Sequence, residues 1–351
     1  MEIKIDMKQR INSPKPQTML LQDKLISNSP AVSKPPSSSK LTTTKTVASS
    51  PPETIKDIFT AIDSLIGLDE VKGMIYEIHA FTEVQKRRQK EQLAAEPTVL
   101  HAIFRGNPGS GKTTLARYLA RLYKEMGILS KGHLIEVERA DLVGEFVGHT
   151  AQKTKEQVKK SLGGLLFIDE AYSLCRGGEK DFGREAIDVL VKAMEDHKND
   201  FVLVLAGYNK EMDQFLRSNP GLYSRFPLHI DFPDYTQRQL LDIAAHMYGQ
   251  REYQLSQATW RELERFLLLQ MAEKATLSGN ARTVRNIVEA SLRTQAVRLT
   301  QRQDYSLVNR NELQEISPAD LALAIKRLPL QQNRELKKAG REAGHLAQLN
   351  A

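Results

Sequence analysis

Five short apolar runs mark the middle of the chain: LHAIF (100–104), HLIEV (133–137), LLFI (165–168), FVLVL (201–205) and LHIDF (228–232). Longer stretches with helical spacing of their apolar positions separate them. A strand buried on both sides has no polar face to show, so nearly all-apolar strands alternating with helices predict a parallel sheet covered on both faces. Residues 55–93 read as helix, interrupted at Leu65-Ile66-Gly67-Leu68. After Pro233 and Asp234 the apolar strand runs stop and only helix patterns remain. There Thr236 with Gln239 spells a capping box, and Ser317 before Pro318 spells an N-cap with proline at the first helical position. The pattern therefore predicts an α/β domain over 55–234, a small all-helical domain over 235–330, and a helical or flexible C-terminal tail over 331–351.

Composition changes the picture mainly at the N-terminus. Residues 12–52 are rich in Ser, Thr, Pro and Lys and contain no aromatic residue. Such a segment buries too little apolar surface to offset its ordering entropy, so residues 1–54 are expected to form a disordered tail, a linker or tethering arm. Residues 1–56 hold eight Lys and one Arg against two Asp and two Glu, which places +5 of the chain's +7 net charge there. The remaining surface does not offer the basic stripe that nucleic acid demands, and nucleic acid is not the expected partner. A single cysteine, Cys175, excludes an internal disulfide and suits a reducing compartment. The eight histidines show no metal-ligand spacing. No apolar run reaches the roughly 18 residues of a membrane span, and the first residues lack the apolar stretch of a signal peptide. A cytoplasmic protein is expected.

Chemistry concentrates at three strand ends. Gly106-Asn107-Pro108-Gly109-Ser110-Gly111-Lys112-Thr113 fits the phosphate-binding pattern GxxxxGK[ST] between a strand and a helix beginning at Lys112. Its glycines let successive N–H groups turn towards a phosphate, Lys112 brings positive charge to the β- and γ-phosphates, and the Thr113 hydroxyl suits Mg²⁺. Fifty-seven residues after Lys112, the run LLFI ends in Asp169-Glu170. Asp169 suits Mg²⁺, and Glu170 suits the polarising of an attacking water. FVLVLAGYN ends in Asn209, which suits a γ-phosphate contact or, almost as well, the N-cap of a helix opening at Lys210.

Loop, Asp-Glu strand and polar strand end in this order resemble the AAA+ ATPases, with their P-loop NTPase parallel sheet and helical lid. The stretches DLVGEFVGHTAQKT (141–154), SNPGLYSRFP (218–227) and SGNARTVRN (278–286) are similar to the CbbX-type subgroup, which includes the red-type Rubisco activases. The stretch REYQLS (251–256) and the spacing between motifs place the resemblance nearer a sporulation-associated branch of that subgroup. It covers about residues 55–330. It implies ATP and Mg²⁺ as cofactors, with Thr114 beside Thr113 at the nucleotide and Ile66-Gly67-Leu68 along the adenine. Arg225 falls on the arginine-finger position, with Arg217 as a rival. Arg282 falls on the sensor 2 position of the lid, with Arg285 as a rival. Phe146-Val147-Gly148 falls on a pore loop that grips polypeptide, although Phe146 packed in the core would satisfy the sequence too. The 176–183 stretch falls on a second pore loop. The resemblance thus implies a homo-oligomer, a hexameric ring acting on a protein substrate.

Overall fold

The computed structural model describes residues 53–95, 99–146, 148–176, 182–218, 220–272 and 279–328. The Ser/Thr/Pro/Lys-rich tail up to residue 52, Val147, residues 177–181 of the second pore-loop stretch, and the C-terminal segment beyond 328 lie outside them. Two helices, α1 (Ile55–Asp63) and α2 (Asp69–Lys90), lead into β1 (Ala102–Gly106), α3 (Lys112–Glu125) and β2 (Leu134–Val137). Then come α4 (Arg139–Leu142), α5 (His149–Ser161), β3 (Leu165–Ile168) and a 3₁₀ turn over Ala171–Cys175. The sheet is completed through α6 (Gly183–Asp196), β4 (Val202–Gly207), α7 (Asn209–Ser218), α8 (Pro220–Tyr223) and β5 (Leu228–Phe232). The lid follows with α9 (Gln237–Gly249), β6 (Gln254–Leu255), α10 (Gln257–Ala272), α11 (Asn280–Thr300), α12 (Arg310–Gln314), β7 (Glu315–Ile316), and a helix over 318–328, α13.

The five long strands pair in the order β2-β3-β4-β1-β5, every pairing parallel. Successive side chains point to opposite faces of a strand, and both faces here are covered. Leu165, Phe167, Val202 and Val204 join one layer with α1, α2 and α3. Leu166, Ile168, Leu203 and Leu205 join the other with α5, α6 and α7. That is why β3 and β4, buried at every position, read as continuous apolar runs. The first strand is shifted two residues along from its apolar run, so that its far end takes in Arg105. Arg105 stands in register with Asp231 on β5 and donates to it at 2.7 Å through Nε, and to Asp213 on α7 at 3.0 Å through Nη1.

The lid has its own core, with Leu240, Tyr248, Leu263, Leu267, Val284, Ile287 and Leu321 among its members. Both expected caps form. Thr236 and Gln239 make a reciprocal capping box at α9. At α13, Ser317 Oγ accepts from the Asp320 N–H at 3.2 Å while Asp320 Oδ2 accepts from the Ser317 N–H at 3.0 Å. The helical pattern hides one feature: β6 and β7 form a short parallel ladder, Gln254 with Glu315 and Leu255 with Ile316. Two residues are too few to show a period.

Candidate functional site

The site is built at the carboxyl ends of the sheet. Leaving β1, the chain turns through Gly109 (φ 71°) and Gly111 (φ 101°), left-handed conformations that glycine adopts without strain, and Gly111 becomes the N-cap of α3. Lys112 is buried, and its Nζ donates back to the carbonyls of Gly106 (2.7 Å) and Asn107 (2.9 Å). Burial pulls its pKa below the ordinary lysine value, while the negative charges of Asp169, Asp234 and Glu170 work the other way. Asp169 and Glu170 follow the end of β3. Because β4 lies between β3 and β1, the carboxylates face the loop across the end of β4. Glu170 has a left-handed backbone (φ 46°, ψ 44°), and its N–H donates to Asp169 Oδ1 at 3.0 Å.

Loop, carboxylates and lid enclose a cleft of about 1260 Å³. Pro108, Gly109, Gly111, Lys112, Thr113 and Thr114 line it, as do Asp169 and Glu170, Ile66 and Leu68, and both Arg282 and Arg285 of α11. A hydroxyl and a carboxylate, Thr113 and Asp169, are the hard oxygen donors that Mg²⁺ accepts beside phosphate and water. Other expected residues sit elsewhere. Asn107 is turned towards Asp234, donating through Nδ2 to both carboxylate oxygens at 2.9 Å. Ser110 is fully buried, and its hydroxyl has no partner among the described residues. Gly67 (φ 68°) does permit a close approach, but of the lid: a Cβ there would fall 2.7 Å from Gln239 Nε2. Asn209 is the first residue of α7, and it is the preceding Tyr208 that lines the cleft. Burial and the charges of Glu170 and Asp169 push the Tyr208 phenol pKa up.

Two groups lie apart. Phe146 is 64% exposed, against the core-packed alternative, with its ring 5.4 Å from that of His149. The base of its segment is held by buried hydroxyls: Thr150 Oγ1 accepts from the Gly144 N–H (2.9 Å) and Thr154 Oγ1 donates to the Leu142 carbonyl (3.1 Å). Gly148 (φ 80°) caps α5. Arg225 does not line its own chain's cleft; it donates to Glu195 Oε1 (2.6 Å) and to the Gly221 carbonyl (2.8 Å). Arg217 is exposed in the last turn of α7.

The sequence profile of the ATPase family associated with various cellular activities (AAA) matches residues 102–234, and that of the AAA lid domain matches residues 236–331. Stage V sporulation protein K of Bacillus subtilis (strain 168) is 52% identical over 270 residues, 77% of this chain and 83% of that protein. The chain belongs to the AAA family of ATPases. It therefore binds and hydrolyses ATP. Protein CbbX of Cereibacter sphaeroides is 45% identical over 246 residues, 70% of this chain and 79% of its own. The AAA domain of FIGL-1 shares the fold, with a TM-score of 0.51 at 17% identity over 75% of this chain and 82% of that one. No helix among the described residues is long and apolar enough to cross a membrane. Several AAA cleft residues escaped the motif reading, namely Glu138, Arg139, Tyr208, His246 and Gln250. Tyr208 was within reach, one residue before the polar strand end. His246 and Gln250 reach the cleft only because the lid docks there, which no local pattern encodes.

Proposed function

We propose that this ATPase is a ring-forming machine, a hexamer, that uses hydrolysis to remodel or thread a protein substrate. The observation that supports it best is the separation of engine from grip. Lys112, Asp169 and Glu170 share one cleft, while the aromatic Phe146 stands exposed on an anchored segment outside it. In this reading Lys112 and the loop N–H groups hold the polyphosphate, and Thr113 and Asp169 hold Mg²⁺, whose charge neutralises the phosphates. Glu170 orients and deprotonates water, Asn209 or its neighbour Tyr208 faces the terminal phosphate, and Arg282 or Arg285 closes the lid on it. Ile66, Gly67 and Leu68 border the base. Arg225, outside its own cleft, is supplied to a neighbouring subunit, and Phe146, Val147 and Gly148 contact polypeptide in the channel. The core would span 55–234 and the lid 235–330. Higher identity to the sporulation protein than to CbbX favours a sporulation-associated role, with Rubisco activation as the second reading.

The test uses Glu170→Gln with ATP, which should sediment as a ring. A photoreactive phenylalanine analogue at position 146 should then crosslink an unfolded polypeptide, with labelled casein as the probe, only when ATP is present. A monomer under every condition, or crosslinking indifferent to nucleotide, would sink the proposal.

A further inference from the structure

The phosphate loop and the lid touch through backbone as well as across the cleft. The Ala281 N–H donates to the Gly109 carbonyl at 3.3 Å, and the Tyr235 hydroxyl donates to the Ser110 carbonyl at 3.1 Å. The approach leaves no room: a Cβ on Gly109 would stand 2.4 Å from the Gly279 carbonyl oxygen and 2.8 Å from the Arg282 nitrogen. One carboxylate ties the two sides by side chain. Asp234, in the hinge between β5 and α9, accepts from Asn107 Nδ2 of the loop at 2.9 Å and from Asn280 Nδ2 of the lid at 2.7 Å. Asn280 is 2% exposed and holds a left-handed backbone (φ 42°) at the start of α11. Its remaining amide oxygen accepts from the Tyr235 N–H at 3.1 Å. A buried amide satisfied on both ends, at a conformation most residues avoid, has one permitted orientation. Arg282 lies two residues further along the same helix.

We infer that Asp234 is a positioning residue for ATP: by bracketing Asn107 and Asn280 it fixes the first turn of α11 against the phosphate loop, and so aims Arg282 at the bound phosphates. This rests on the reading of Arg282 as the lid's phosphate contact. A role through charge alone has the opposite sign, because Asp234 is close enough to act on Lys112, and removing a negative charge beside a polyphosphate should tighten binding.

Steady-state ATP hydrolysis by the full chain tests the assignment. Asp234 is exposed, so Asp234→Ala should fold with an unchanged circular dichroism spectrum. It should raise KM for ATP about tenfold while kcat stays within a few-fold, the split expected when binding geometry alone is lost. Asp234→Asn, whose single carbonyl oxygen can take both amide donors, should keep KM near wild type. The double variant Asp234→Ala with Arg282→Ala should match Arg282→Ala alone, because two residues acting through one contact are not additive. If Arg282→Ala raises KM but Asp234→Ala leaves or lowers it, the bracket is overturned while the Arg282 reading stands. If Arg282→Ala leaves KM unchanged, the Arg282 reading falls and takes the inference with it. Additive effects of the two substitutions also overturn it.

Discussion

Glu170 has the left-handed backbone that few non-glycine residues adopt, at a cost of roughly 1–3 kcal/mol that the surrounding fold must offset. Its carboxylate lies within the cleft while its N–H caps Asp169 Oδ1. Glu170→Gln keeps the shape and removes the proposed base, so ATP affinity should persist while turnover falls about 10²-fold or more. Lys112→Ala should weaken nucleotide binding itself; equilibrium binding beside a phosphate-release assay separates the two. His101 offers a test of stability. It is 3% exposed, its Nδ1 accepts from the Leu203 N–H at 3.0 Å, and burial pulls its pKa down to about 4, with the backbone of Met194 opposing. The unfolded chain, with its histidine near 6.5, binds the proton first, so stability rises with pH across this window. The His101 contribution should be complete above pH 6.5 and lost as pH falls towards 4, about 3 kcal/mol in all. Urea midpoints at several pH values should show this slope, and His101→Gln, whose amide does not titrate, should flatten it.

At the scale of elements, the segment between α4 and α5 carries the sharpest expectation. Its ends are fixed by Thr150 and Thr154 while Phe146 stays exposed. Truncating an exposed ring leaves no cavity, so Phe146→Ala should keep the melting temperature and leave basal ATP hydrolysis within a few-fold, while any nucleotide-dependent hold on polypeptide is lost. A large fall in melting temperature would instead mark a packed side chain, worth roughly 3–5 kcal/mol. What the sequence made legible at this scale followed from burial. β3 and β4 are covered on both faces and announce themselves as apolar runs, whereas the far end of β1 lay outside any apolar run because it holds Arg105, which Asp213 and Asp231 from other elements neutralise. The phosphate loop was readable because its chemistry is local, a turn and the helix that follows. The bracket on Asp234 was not, since it joins residues 127 and 46 positions apart. The pairing of β6 with β7 was hidden because strands of two residues are too short to show a period.

For the whole molecule, the placement of Arg225 matters most. It is held by Glu195 and the Gly221 carbonyl, outside its own cleft, and the proposed function assigns it to the cleft of a neighbouring copy. Specific activity should therefore rise with protein concentration as copies assemble, and Arg225→Ala should stay inactive at every concentration while still binding nucleotide. Mixtures of the variant with wild type should lose activity faster than dilution accounts for; full activity from a verified monomer would exclude the trans role. The strand order has a consequence of a different kind. With β4 between β1 and β3, the strands that carry the loop and the carboxylate pair run two spacings apart, about 9.6 Å at the usual 4.8 Å per step. The sheet is thus a gauge with fixed jaws. Its opening is set by backbone pairing and not by any rotamer, so the cation and the carboxylates keep their distance whatever their side chains do.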